Sequence, residues 1–291
     1  MPDIKEPLTL SAPLARLTAS RLCRKDPVSG EDCAWYHGLW QDLRLMGLAA
    51  TPEHQADFFF GAFETLSQRY DRLRLLISGA ADYSILAHVI CACKAHNLHA
   101  DITVLDACDT PLFLNNWYAD RVGHKINTIR VNIFDYRAPI PFDVICGHSF
   151  LGQFTPHGRI EVVKKWGQIL NPGGSVLIVN RIRETSTQHK VGFSQSQAAT
   201  FRASVMQQSA ELPAGLQPEP QEFARRVENY IQRLHVYALS ADDIMSLFRT
   251  NNFRIDDFSL VSSGNIPDRN ISGLTIPNNA EHACVIATKI S

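Results

Sequence analysis

The run from Arg74 to Asp106, RLLISGAADYSILAHVICACKAHNLHADITVLD, constrains the fold more than any other part of this chain. It reads as an apolar strand (Arg74 to Ile77), a small-residue turn (Ser78-Gly79-Ala80-Ala81) and a helix (Asp82 to Asn97). A second apolar strand (Ile102 to Leu105) follows and ends in a carboxylate, Asp106. That order predicts one βαβ half of a nucleotide-binding sheet. The turn lets a ligand approach the backbone at a helix N-terminus, and the carboxylate can accept both hydroxyls of a ribose. Together they imply a cofactor that contains adenosine.

Strand–helix alternation continues beyond this unit. Thr110-Pro111 opens a helix through Arg121, and Ile126 to Ile133 is a β-branched third strand ending near Asp135. Phe142 to Cys146 is a fourth strand, ending in Gly147-His148-Ser149. Thr155-Pro156 opens a helix through Leu170, Asn171-Pro172-Gly173-Gly174 breaks it, and Ser175 to Asn180 is a fifth strand. Such alternation predicts a parallel sheet with helices on both faces.

The flanks differ. The first seventy or so residues carry no strand signal. They predict helices over Pro13 to Cys23, over Ala34 to Leu48, and from a capping Thr51-Pro52-Glu53 to Arg72. Residues 184–239 are polar and rich in glutamine. They predict an inserted pair of helices, Ser194 to Leu212 and Gln221 to Val236, separated by Pro213, Pro218 and Pro220. Ser240-Ala241-Asp242-Asp243 caps a last helix. The final strands, Arg254 to Val261 and Ala283 to Lys289, are read as antiparallel.

Composition narrows the partners. A formal net charge of −1 over 291 residues gives no electrostatic case for nucleic acid or an anionic membrane. No apolar run approaches the ~20 residues of a membrane span. The N-terminus lacks the basic start and apolar stretch of a secretion signal, so a reduced, cytoplasmic protein is expected. The Asn270-Ile271-Ser272 sequon is then coincidental. The seven cysteines, at 23, 33, 91, 93, 108, 146 and 284, are scattered, and no pair has zinc-type spacing. The sequence reading therefore assigns no metal.

Five alternating β/α units, a final helix and an antiparallel end resemble the class I S-adenosylmethionine-dependent methyltransferases. RLLISGAADY is similar to that family's first motif, and Asp106 and Asp135 stand where it has acidic or polar residues after the second and third strands. FDVICGHSFLGQF is similar to its fourth-strand motif and LNPGGSVLIV to its turn into the fifth strand. The resemblance covers roughly residues 72–183 and 240–290. It implies a seven-stranded Rossmann-like sheet with helices on both faces, an N-terminal helical region or lid (1–72), and a cofactor-binding domain (73–291) with an insertion at about 184–239. One departure stands out. Of three glycines expected at alternate positions only Gly79 is present, with Ala81 and Tyr83 in the other places.

The resemblance implies cofactor contacts from Ser78, Gly79, Ala80, Ala81, Asp82, Asp106, Ala107, Phe134, Asp135, Gly147 and His148. Asp82 serves equally well as a plain helix-start carboxylate, and Asp135 as a turn residue. His148 is the candidate catalytic base, since an imidazole can take a proton near neutral pH. Its bland alternative is a histidine that bonds the backbone after the strand. Ser149 and Gln153 are candidates for orienting an acceptor. Arg181 and Arg183, two apart, could clamp a carboxylate or phosphate, or merely end a surface strand. Trp35, Tyr36, His37 and Trp40 could close the pocket from the N-terminal helices, with Tyr36 and Trp40 touching the acceptor, or simply pack. The expected function is methylation of a small metabolite or natural product on oxygen or nitrogen. No Asp/Asn-Pro-Pro-Tyr follows the fourth strand, which argues against nucleobase and glutamine amino-methyltransferases. Two alternatives stay open: a catalytically silent S-adenosylmethionine-binding protein, and a nicotinamide-dependent oxidoreductase, which the absence of Gly-x-Gly-x-x-Gly disfavours. A homodimer through the N-terminal helices is the alternative to a lid.

Overall fold

A computed structural model describes residues 4, 6–25, 30–49, 52–183, 190–262 and 281–290. Its centre is a seven-stranded sheet built from the runs that the sequence marks as apolar. The strands are β1 (Arg72–Ser78), β2 (His99–Asp106), β3 (Asn127–Arg130), β4 (Phe142–His148), β5 (Leu170–Arg181), β8 (Phe253–Ser262) and β9 (Glu281–Lys289). Their order is β3-β2-β1-β4-β5-β9-β8. The first five are parallel, and β9 runs antiparallel to both β5 and β8. A two-residue pair, β6 (Lys190–Val191) and β7 (Val236–Tyr237), forms a separate small ribbon.

β1 lies between β2 and β4, and its inner run Leu75-Leu76-Ile77 is continuously apolar because both faces are covered there. Leu73, Leu75 and Ile77 enter one core and Leu76 the other. The first core is roofed by α4 (Ser84–Ala95) and α5 (Asp109–Arg121), with Phe59, Phe63 and Leu66 of α3 (Ala56–Ser67) packed in. The second lies under α6 (Pro156–Ile169) and α9 (Ala241–Arg249), around a fully buried Trp166. The turn into the parallel part of β5 depends on two glycines. Gly173 has φ +73°, and a Cβ on Gly174 would lie 3.0 Å from the carbonyl oxygens of Asn171 and Asp143.

A third core joins the N-terminal region to the insertion. α2 (Ala34–Leu45) contributes Leu39 and Leu43. The inserted helices α7 (Gln195–Glu211) and α8 (Pro220–Arg233) contribute Phe201, Val205, Phe223, Val227 and Tyr230. Trp40, Tyr36, Tyr230 and Phe201 stack in succession, with ring centroids 5.4, 6.1 and 5.4 Å apart and interplanar angles under 20°. The two segments that flank the sheet in sequence thus fold onto each other.

Several boundaries differ from the sequence reading. α1 runs from Leu8 to Leu22 with Pro13 inside it, instead of starting there. Pro52–Gln55 form a short 3₁₀ turn before α3, and Thr51 lies outside the described residues, as do residues 184–189 and the sequon at Asn270. β3 is only four residues long and ends at Arg130, because residues 131–139 turn away under Ile133 and Tyr136, which anchor in the second core. β5 starts at Leu170, so the Asn-Pro-Gly-Gly run bends the strand and does not precede it. No helix among the described residues is long and apolar enough to cross a membrane.

Phe201 is completely buried between Phe193 and Tyr230. Phe201→Ala is expected to cost about 3–5 kcal/mol in urea denaturation. A loss below about 1 kcal/mol, the scale of a surface change, would mean that the insertion's packing contributes nothing to global stability.

Candidate functional site

Strand order reverses between β1 and β4, and at that point a doubly wound sheet opens a crevice beyond its carboxyl ends. A cavity of about 370 Å³ lies there. Its floor comes from the ends of three strands: Gly79, Ala80 and Ala81 after β1, Asp106 at the tip of β2, and His148 and Ser149 at the end of β4. Gly79 has φ +77°, and a Cβ there would sit 2.3 Å from the Phe150 ring. Both backbone conformation and space therefore demand glycine.

The Asp106 carboxylate is held by two backbone amides. Ala80 N–H donates to Oδ2 at 3.0 Å and Cys108 N–H to Oδ1 at 2.8 Å. Each oxygen keeps a lone pair for a ligand. Burial pushes this carboxyl above its usual range, partly offset by His37 and the two amides.

Tyr83, which replaces the third glycine of the first motif, does not enter the cavity. Its fully buried ring stacks on Tyr118 at 4.6 Å with planes 4° apart, and its hydroxyl meets Ser11 Oγ at 2.8 Å. The space that glycine would leave is filled from behind. Asp82 lines the cavity, but its carboxylate is already engaged. It accepts from Arg44 Nη1 at 2.6 Å, Gln41 Nε2 at 3.3 Å and Ser84 N–H at 2.8 Å. Arg44 also pairs with Glu6. Its charge is strongly retained: burial opposes it, and Asp82 and Glu6 outweigh burial. For Glu6 burial prevails over Arg44 and raises the carboxyl.

His148 is half-buried and lines the cavity. Its Nε2 lies 3.2 Å from Gln55 Oε1. With that oxygen as acceptor, the proton sits on Nε2 and the lone pair on Nδ1. Burial holds the imidazole well below its ordinary pKa, and the neighbouring His282 and His88 add to this. It is therefore neutral at physiological pH.

Tyr36 and Trp40 form one wall, and Gln153 and Phe150 another. The remaining sequence candidates lie elsewhere. Ser78 faces the second core, where its Oγ accepts from Trp166 Nε1 at 3.0 Å. Phe134 and Asp135 are exposed, and Phe134 packs edge-on against Phe154 beside a different surface depression. Because β3 ends early, the chain carries both away from the cavity. Ala107 and Gly147 contribute no cavity surface. Arg181 and Arg183 are not in the lining either. Burial lowers both, Arg181 to about 10 and Arg183 to about 9, the latter also through Arg181. Arg183 Nε is buried without a hydrogen-bond partner.

The sequence reading missed Arg44, Phe150 and a cluster beside the cavity. Cys23, Cys33, His37 and Cys108 bring one donor atom each within 4.8 Å of one another. The sequence signal for this set is weak. Only Cys33-x₃-His37 has short spacing, and Cys108 is far away along the chain.

No protein-family model matches the chain, and no curated protein matches it. Solved structures do. An S-adenosylmethionine-dependent methyltransferase from Clostridium acetobutylicum aligns with a TM-score of 0.54 at 9% identity, covering 86% of this chain and 96% of the other. Magnesium protoporphyrin IX methyltransferase from Synechocystis, solved with bound SAH, aligns with a TM-score of 0.50 at 9% identity over 86% of each chain. Identities this low speak for the fold alone. With the sheet order and antiparallel β9, they establish the class I S-adenosylmethionine-dependent methyltransferase fold.

Two predictions follow from the buried charges. Arg44→Met leaves the Asp82 and Glu6 carboxylates unpaired and is expected to cost about 3–5 kcal/mol at neutral pH. Part of that loss should return as pH falls and Glu6, whose carboxyl burial already raises, takes a proton, in contrast to a pH-independent deficit in denaturation curves. His88 is buried, donates from Nδ1 to the Ser84 carbonyl at 2.9 Å, and is held by burial below the ordinary imidazole value of 6.5. The unfolded chain therefore takes that proton first. The associated stability is complete above pH 6.5 and is lost as pH falls below it. The stability advantage of wild type over His88→Gln should shrink on acidification by up to about 1.4 kcal/mol per pH unit. Parallel stability curves for the two proteins would contradict this.

Proposed function

We propose that the chain is an S-adenosylmethionine-dependent methyltransferase that acts on a small-molecule acceptor, on oxygen or nitrogen. The observation that carries this reading is the Asp106 carboxylate, presented by two backbone amides on the same cavity as the Gly79 turn and His148.

The residues fit the cofactor. Asp106 retains one acceptor lone pair on each oxygen for a ribose diol. Gly79 and Ala80 allow close backbone approach, and Tyr83 is turned away. S-adenosylmethionine supplies an electrophilic methyl group on a sulfonium. The protein's share of the chemistry is to hold the acceptor in line with that methyl and to take its proton. His148 is the base in this reading: neutral and lining the cavity, it would accept the proton of an acceptor hydroxyl as the new bond to carbon forms, or the proton of an amine nitrogen once that nitrogen has been methylated. Tyr36 and Trp40 offer flat faces to an apolar acceptor, and Ser149 and Gln153 offer polar ends. The joint wall of α2 and α8 acts as the lid that excludes water. Arg181 and Arg183, which lie outside the cavity lining, carry no role in this reading.

Calorimetric titration with S-adenosylmethionine tests the cofactor. Micromolar binding is expected, weakened about 10–100-fold in Asp106→Ala by loss of the hydrogen bonds to a charged group. Against an accepted substrate, His148→Gln should lower turnover by about 10²–10⁴, with a far smaller change in cofactor affinity. Binding without turnover across a broad acceptor panel would instead support a silent cofactor-binding protein. No binding by folded wild-type protein would sink the cofactor reading.

A further inference from the structure

Four soft donors converge where the N-terminal helices meet the sheet. Cys23 follows the end of α1, Cys33 is the residue before α2, His37 lies in the first turn of α2, and Cys108 is the residue before α5. Cys33 and His37, four apart, share one helix face. Cys23 Sγ lies 3.4 Å from His37 Nδ1 and 3.5 Å from Cys108 Sγ, and Cys33 Sγ lies 3.4 Å from Cys108 Sγ. Metal–sulfur bonds of about 2.3 Å and metal–nitrogen bonds of about 2.0 Å in a tetrahedron give donor separations of roughly 3.5–3.8 Å. The three spacings, 3.4–3.5 Å, lie at or a few tenths of an ångström below those edges, a gap that small side-chain movements close. We propose that Cys23, Cys33, His37 and Cys108 form a structural zinc site that fastens the N-terminal helices to the cofactor-binding edge of the sheet.

A disulfide explains the cluster less well. Cys108 Sγ is about equally close to two other sulfurs, and a disulfide would use one and strand the second beside a buried imidazole. An iron–sulfur cluster needs its cysteines spread around several iron atoms, whereas donors within 4.8 Å of one another leave room for a single ion. Three thiolates and an imidazole suit zinc, and four protein ligands fill its coordination shell, as in structural sites. Oriented outer groups are also present. The Thr110 hydroxyl lies 3.1 Å from Cys23 Sγ, and Thr110 N–H points to Cys108 Sγ at 3.5 Å. A divalent cation would let all three thiols lose their protons.

The site has consequences for the cavity. Cys33 and His37 line it, Tyr36 and Trp40 stand on the same helix, and Cys108 N–H holds Asp106 Oδ1 at 2.8 Å. An ion here fixes the aromatic wall and the carboxylate against each other. The proposal does not depend on the cavity's ligand.

The test uses the full chain, purified under reducing conditions and dialysed without added metal. Elemental analysis should find about one zinc per chain, and a strong chelator should lower the melting temperature. Stripped protein titrated with Co²⁺ should develop thiolate-to-cobalt charge-transfer absorption and intense tetrahedral visible bands, saturating at one equivalent and erased by Zn²⁺. Cys33→Ser and Cys108→Ser should each weaken the charge-transfer band. Cys91→Ser, on α4 away from the cluster, should leave it unchanged. The proposal fails if the protein retains only substoichiometric, dialysable metal and gives no charge-transfer band. It fails equally if the band survives Cys33→Ser and Cys108→Ser together, or if mass spectrometry of the reduced preparation finds Cys108 in a disulfide.

Discussion

The buried pairing of Arg44 with Asp82 and Glu6 sets the geometry on which the cavity depends. Arg44 belongs to α2, Asp82 to the turn after β1, and Glu6 to the segment before α1. All three are nearly inaccessible, so none can be left without its partners except at the cost of an uncompensated buried charge. The guanidinium therefore dictates how far α2 stands from the first-motif turn. Tyr36 and Trp40 follow from that placement, and through their stacking on Tyr230 so does the position of the insertion. An interaction of this kind adds little net stability over an apolar replacement. What it contributes is a single register for a wall that apolar packing alone would leave free to slide.

Much of the sheet was legible in the sequence because the inner stretches of β1, β4 and β5 (residues 75–77, 144–146 and 176–179) are covered on both faces and are apolar there. The place of Asp106 on the cavity was legible because the tip of the second strand opens onto the crevice in a sheet of this order. The site's other half was not legible, for a definite physical reason: its decisive features are side-chain directions. The letters of the first motif suggest a blocked pocket at Tyr83. Only the stacking on Tyr118 and the hydroxyl contact with Ser11 show that the ring leaves it. Asp82 looks like a ligand until Arg44 arrives from a distant helix. Phe134 and Asp135 sit at a family position in sequence but not in space, because β3 stops at Arg130. The four-donor cluster draws on three separate segments, so no local spacing rule could have found it.

The electrostatics around the cavity share one cause. Withdrawal from water raises the Asp106 carboxyl and lowers His148, His282 and the arginines at the end of β5. His282, pushed down to about 3, and His148 face each other with ring centroids 6.3 Å apart, and both stay neutral. A pair kept neutral in this way carries no positive charge to attract an anion at this end of the cavity.

The central claim is that Asp106 and the Gly79 turn define an adenosyl cofactor site at the β1/β4 switch point. A crystal structure of the protein grown with S-adenosylhomocysteine tests this most directly. The account predicts the ribose hydroxyls on the two Asp106 oxygens, the amino-acid end beside Gly79, and the sulfur directed toward His148. Density for the ligand anywhere else, or Asp106 turned away from a ligand seated in the cavity, would contradict it.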